Sequence, residues 1–196
     1  MDNLNSKKTR NMAIIFLILL ALFLFSLLID KNLASGILQL RSPAADKIII
    51  SASFGWNDLS FFILLVAVIL ILFLRKDKIK NLKNIVAASS IALVITYGLK
   101  FLIGRMRPVS SLNLSEPIAI WGSSFPSAHA TAVFALLPFI WKEYPRIKWL
   151  WLFYSLFIIF SRLWFAAHYL SDTIGGMIIG LSIGILVLII GQKNKK

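Results

Sequence analysis

MAIIFLILLALFLFSLLI, residues 12–29, decides the fold class: eighteen consecutive residues carry no charge. Wound as an α-helix at about 1.5 Å per residue, the stretch spans about 27 Å, close to the hydrocarbon thickness of a bilayer. Lys7, Lys8 and Arg10 precede it, as they would a cleaved secretory signal. A signal, however, has a shorter apolar core and a small-x-small cleavage site. This run closes on Leu28-Ile29-Asp30-Lys31 instead, and reads as a retained anchor.

The rest of the chain repeats the pattern. It is 59% hydrophobic and 15% charged, where soluble domains carry roughly 45–50% apolar and about 25% charged residues. Six apolar segments stand out, 11–29, 58–74, 84–103, 127–141, 147–162 and 173–191. Several are short for a span, so their ends rely on snorkelling Lys or Arg and on interfacial aromatics, with Trp56, Trp121, Trp141, Trp149 and Trp151 near span ends. There is no internal repeat or low-complexity tract. The expectation is an all-α, polytopic membrane protein: a single membrane-embedded domain over residues 1–196, built as a six-transmembrane-helix bundle. Residues 30–56 are expected to form a long outer loop, with Ile48-Ile49-Ile50 and Phe54 on the membrane surface. Pro138 is expected to bend its span. Gly175-Gly176, Gly180 and Gly184 predict close helix packing.

The net charge of +13 would point to nucleic acid in a soluble protein. Here the basic residues sit mostly in short loops, which speaks for topology and anionic headgroups, not nucleic acid. Lys7, Lys8 and Arg10, then Arg75, Lys76, Lys78, Lys80 and Lys83, then Lys142, Arg146 and Lys148, then Lys193, Lys195 and Lys196 fall on one side. These are fourteen, against seven on the other. The positive-inside rule puts both termini in the cytoplasm of a multi-pass cell-membrane protein. The absence of cysteine excludes disulfides, thiol catalysis and cysteine-ligated metal.

Three stretches hold nearly every polar group that a membrane disfavours: KFLIGRMRP (100–108), FPSAH (125–129) and SRLWFAAHYLSD (161–172). The topology puts all three at the outer ends of spans. Lys100, Arg107 and Arg162 bring three positive charges to the rim of an apolar bundle, a cost that a bound phosphate relieves. Arg105 reads as an interfacial anchor. The chain's two histidines, His129 and His168, are both in these stretches. His168 and Asp172 are four apart, on one side of a helical turn, so Asp172 can orient one ring nitrogen and leave the other for attack. His129 is left to protonate a leaving oxygen. Ser127 and the first amides of its span direct partial positive charge to the same place. Asp172 can also cap its helix.

These stretches resemble the type 2 phosphatidic acid phosphatase family, which shares its site with vanadium haloperoxidases. The family pattern is Lys-x6-Arg-Pro, Pro-Ser-Gly-His and Ser-Arg-x5-His-x3-Asp. The first and third motifs fit without a gap, and the resemblance extends over most of the chain. It implies His168 as the nucleophile of a phosphohistidine intermediate, Asp172 as its partner and His129 as the general acid. Lys100, Arg107, Ser127, Ala128 and Arg162 become the phosphate clamp. It implies no metal and no cofactor. Ala128 departs from the family's glycine, where a methyl group narrows the approach to phosphate or demands a negative φ.

The expected activity is that of a metal-independent lipid phosphatase or diphosphatase with its site facing outside. The chain has no extra domain to grip a large headgroup, which favours a polyprenyl diphosphate such as undecaprenyl or dolichyl diphosphate. The alternatives are a phosphatidylglycerophosphate or phosphatidate phosphatase, a lipid phosphotransferase or, outside catalysis, an anion-binding transporter. Membrane lipids and the lipid phosphate substrate are the expected partners.

Overall fold

A computed structural model describes residues 2–53, 58–74, 81–112 and 122–193. Trp56, Trp121, Phe54, Arg75, Lys76, Lys78, Lys80, Lys195 and Lys196, used above, lie outside the described residues. The described residues form α1 (Asp2–Gln39), α2 (Pro43–Ser53), α3 (Asp58–Phe73), α4 (Leu82–Ile103), α5 (Pro108–Ser111), α6 (Ala128–Glu143), α7 (Lys148–Trp164) and α8 (Leu170–Lys193). Among the described residues, three stretches are long and apolar enough to cross a membrane, Arg10–Gln39, Leu82–Ser111 and Leu170–Lys193. Helices also cover the other three expected spans, but α3, α6 and α7 are shorter, at 16, 16 and 17 residues. Leu28 on α1 and Phe101 and Leu102 on α4 are more than three-quarters exposed, a surface that suits lipid and would be a liability in water.

The centre of the bundle is α6 against α8, with α4 packed on both, α7 on α6 and α1 along α8. Helix α6 is buried around most of its circumference, from Ala128 to Ile140, as expected for a helix apolar on every face. Small residues make the α6–α8 approach possible. A Cβ on Gly176 would stand 2.7 Å from the Ser127 carbonyl oxygen and 3.0 Å from the Ala130 Cβ. Gly180 and Gly184 lie as tightly against the backbone of Thr131 and Ala135. Pro138 lies inside α6 and faces Gly184.

Two expectations need correction. The first span does not end at Asp30, and residues 30–53 are not a long loop. Helix α1 runs on to Gln39, because Asp30 is satisfied inside the protein: Ser171 donates to it from both its amide (3.0 Å) and its hydroxyl. After the break at residues 40–42, α2 docks on α7. Arg41 forks onto Asp46 at 2.7 and 3.2 Å and holds its carboxyl below the usual range. Asp46 also accepts from Trp164 Nε1 at 2.7 Å. Ile49 faces inward onto Trp164 and Phe165, whereas Ile48 is exposed.

Trp151 is the second correction. It is no interfacial residue: it packs into the core and donates its indole N–H to the Val133 carbonyl at 3.1 Å. Trp141 and Trp149 do behave as a belt. Their rings meet edge-on at 5.0 Å, with Lys148 Nζ 4.8 Å above Trp141.

Candidate active site

Three segments converge at one end of the bundle. Lys100 is in the last turn of α4, which Gly104 ends in the left-handed conformation (φ 61°). Arg107 is the N-cap of α5, with Pro108 at its first position. The chain returns at residues 122–127 and is laced to this segment. Lys100 Nζ donates to the carbonyls of Ser123 (2.6 Å) and Ser124 (3.3 Å). The Ser124 amide donates to the Arg105 carbonyl at 2.7 Å. Arg107 Nε donates to the Gly122 carbonyl at 2.9 Å.

Ser127 caps α6. Its hydroxyl accepts from the Ala130 amide at 3.4 Å, and its own amide donates to the Asp172 carbonyl at 3.0 Å, coupling the start of α6 to the start of α8. Ala128 is the first helical residue, and among the described residues only Ala166 is a non-glycine with positive φ. The methyl group at 128 therefore stands without backbone strain. His129 follows, almost fully buried, its ring 4.1 Å from that of Phe61.

The third segment turns sharply. Helix α7 ends at Trp164 with Arg162 in its last turn. Ala166 then takes φ 52°, and the amides of Ala167 and His168 both fold back onto the Arg162 carbonyl at 3.0 and 3.3 Å. This is the left-handed helix ending usually given to glycine. It sets Arg162 and His168 on the same turn.

Each histidine presents Nε2 to an arginine. His168 Nε2 is 3.3 Å from Arg107 Nη1, which also donates to the Ala167 carbonyl at 2.8 Å. His129 Nε2 is 3.5 Å from Arg162 Nη1. The two pairs meet at Arg162, whose carbonyl accepts from the His168 amide at 3.3 Å, and Lys100 joins them through Ser124, which accepts from Lys100 with its carbonyl and donates to Asp172 with its hydroxyl. The other nitrogen of His168, Nδ1, lies 3.7 Å from Asp172 Oδ2, longer than a hydrogen bond, and reaches no other acceptor. Burial, reinforced by Arg107 and Lys100 and opposed by Asp172, pushes His168 down to about 3. The ring is neutral at pH 7. Its neighbours assign the proton to Nδ1, facing the carboxylate, and the lone pair to Nε2.

Asp172 is fully buried and saturated. Oδ1 accepts from Arg105 Nη1 at 2.6 Å. Oδ2 accepts from the Ser124 hydroxyl and from the Tyr169 amide at 2.7 Å. The Tyr169 bond is a helix cap made from the third helical position, so Asp172 caps α8 and faces His168 at once.

The sequence reading missed four members of this constellation. Arg105 is no interfacial anchor: it bridges Asp172 and Asp30, at 2.6 and 2.7 Å, and lies 4.3 Å above the Tyr169 ring. Asp30, Ser124 and Ser171 complete its surroundings. The available signal was Asp30 itself, a carboxylate at the end of a charge-free run with a basic residue in another apolar segment to meet it.

Residues 81–196 match the PAP2 superfamily, and the chain belongs to that family. It has the fold of a membrane PAP2-type lipid phosphatase. A structure described as the first transmembrane PAP2-type phosphatidylglycerolphosphate phosphatase, from Bacillus subtilis, superposes with a TM-score of 0.70 at 18% identity, over 89% of this chain and 96% of that one. LpxE of Aquifex aeolicus superposes at 0.66 with 22% identity, over 82% and 94% of the two chains. No curated protein sequence gives a significant match.

Proposed function

We propose that this protein hydrolyses a polyprenyl diphosphate at the outer membrane face through a phosphohistidine on His168. The observation that carries the reading is the setting of that ring, with Nδ1 towards Asp172 and Nε2 against Arg107. Nε2 attacks phosphorus, the P–O bond to the leaving group breaks, and His129, held as the imidazolium by the negative charge of the bound phosphate, gives its proton to the departing oxygen. Neutral again, His129 takes a proton from water as the water attacks phosphorus. The P–N bond breaks, inorganic phosphate leaves and His168 is restored. Lys100, Arg107, Arg162, the Ser127 hydroxyl and the Ala128 amide hold the phosphoryl oxygens. Charge developing on them is stabilised by groups already in place, which is the largest contribution such a site makes. No metal takes part in this scheme.

The same reading has α1, α3, α4, α6, α7 and α8 crossing the bilayer as six spans of a single domain. Both termini are cytoplasmic, at the end that carries Lys142, Arg146, Lys148 and Lys193, and the site opens outward. A site set at the end of an apolar bundle suits a small headgroup on a long tail. A second reading, hydrolysis of phosphatidylglycerophosphate, is favoured by the activity in the description of the Bacillus subtilis neighbour.

The test is phosphate release by detergent-purified protein in excess EDTA, with polyprenyl diphosphate, phosphatidylglycerophosphate and phosphatidate at equal surface concentration, each beside His168→Ala. EDTA-resistant release that is lost in the variant and fastest on the diphosphate supports the proposal. Fastest release from phosphatidylglycerophosphate moves the assignment to the second reading, and activity retained by His168→Ala overturns the mechanism. A C-terminal reporter found outside the cell overturns the orientation.

A further inference from the structure

We propose that Asp30 and Arg105 are positioning residues for the reaction: a carboxylate–guanidinium–carboxylate chain, Asp30–Arg105–Asp172, through which α1 holds the partner of His168 in place. The inference rests on the reading of His168 as nucleophile.

The geometry is specific. Arg105 spreads its two terminal nitrogens between two carboxylates on different helices. Nη1 donates to Asp172 Oδ1 at 2.6 Å and to the Ser171 hydroxyl at 2.6 Å, and Nη2 donates to Asp30 Oδ2 at 2.7 Å. Asp30 and Asp172 are both buried, and Ser171 is bonded from its amide and hydroxyl to Asp30. The planar fork of an arginine suits such a bridge, and a lysine has no equivalent pair of nitrogens. Oδ1 of Asp172 is thus fixed by Arg105 and Oδ2 by Ser124 and the Tyr169 amide, so the carboxylate cannot rotate away from His168. Bound to Asp172 alone, Arg105 would draw that carboxylate's charge away from the imidazole. Asp30 shares the guanidinium and leaves Asp172 a good acceptor. Asp30 lies upstream of the matched residues 81–196, so α1 contributes to the chemistry of this chain as well as to its anchoring. The groups that face the Asp172 carboxylate are Arg105, Ser124, the Tyr169 amide and His168.

A supporting residue of this kind typically costs about 10–100-fold in activity when removed. Lipid phosphate hydrolysis is measured on Asp30→Asn, Arg105→Gln, Arg105→Lys and Asp30→Asn/Arg105→Gln, with elution from size exclusion and thermal unfolding in the same detergent as folding checks. Each single amide variant is expected to lower kcat about tenfold or more with KM changed less than about threefold, because Lys100, Arg107 and Arg162 remain. The double variant is expected to be no slower than Arg105→Gln alone, because Asp30 acts through Arg105. Arg105→Lys keeps the charge and serves if an amide variant does not fold; it is expected to recover less than half of the lost kcat.

Additive losses in the double variant would overturn the chain. A raised KM at unchanged kcat would make Arg105 a substrate ligand and overturn the positioning role. Unchanged kcat in every folded variant would overturn it outright. His168→Ala, run alongside, separates the two levels. If it is inactive while the Asp30 and Arg105 variants match wild type, the positioning inference alone fails. If it is active, the nucleophile assignment fails.

Discussion

Gly176→Ala tests how closely the two halves of the candidate site are held. Residue 176 lies one turn below Asp172 on α8, and its missing side chain faces the first turn of α6, which carries Ser127, Ala128 and His129. An added Cβ would sit 2.7 Å from the Ser127 carbonyl oxygen. Carbon–oxygen contacts settle at about 3.3 Å, so the helices must part by about 0.6 Å. Overpacking of this kind costs about 1–3 kcal/mol, against a gain of about 0.5–1 kcal/mol for replacing a helical glycine by alanine. The expected net loss is about 1 kcal/mol, a drop of a few degrees in Tm. The rate should suffer more. A displacement of about 1 Å costs about a hundredfold, so 0.6 Å at His129 costs about tenfold in kcat. The assay pairs thermal unfolding in detergent with phosphate release. Gly98→Ala is the control, because a Cβ there meets nothing within 4 Å and should hold or raise Tm. If Gly176→Ala matches the control in both stability and kcat, the α6–α8 approach does not position His129 and the reasoning fails.

Three further outcomes follow from the geometry. Arg107→Lys removes the fork that serves Gly122, Ala167 and His168 together; kcat/KM should fall about a hundredfold, measured on the preferred lipid phosphate. At residue 166 the left-handed conformation penalises branched side chains: Ala166→Val should lose about 2 kcal/mol and most activity, while Ala166→Gly should hold Tm within a few degrees, the relief of strain offsetting the added chain entropy. His168 has its folded pKa lowered to about 3, so its stability contribution is present above the ordinary value of about 6.5 and is lost as pH falls towards 3, because the unfolded chain takes a proton that the fold refuses. The slope is about 1.4 kcal/mol per pH unit; unfolding at pH 7 and pH 5 should show a larger drop for wild type than for His168→Gln.

Much of this arrangement was legible because membranes make polar groups conspicuous. The 18-residue run gave α1, and the three polar stretches gave Lys100, Arg107, Ser127, His129, Arg162, His168 and Asp172, which the structure gathers at one end. What escaped was tertiary. Asp30 looked like the end of a span because a charge normally is one, and only the Ser171 and Arg105 partners show why the helix continues to Gln39. Trp151 followed the rule for aromatic belts until a carbonyl of α6 claimed its N–H. Arg105 could not be told from an anchor by spacing, since its partners come from α1 and α8, 75 and 67 residues away.

Lys100 and Arg107 are solvated by the protein itself, through the carbonyls of Ser123, Ser124, Gly122 and Ala167. In the proposed reaction an incoming anion must compete with these dipoles, and it does so by charge. A terminal phosphate, doubly ionised, gains about twice the Coulomb energy of a phosphodiester, which carries a single charge. The surrounding bilayer is made of phosphodiesters at enormous local concentration. In that reaction a ring of main-chain dipoles that yields more readily to a dianion than to a monoanion would disfavour the matrix lipids as competitors for the site.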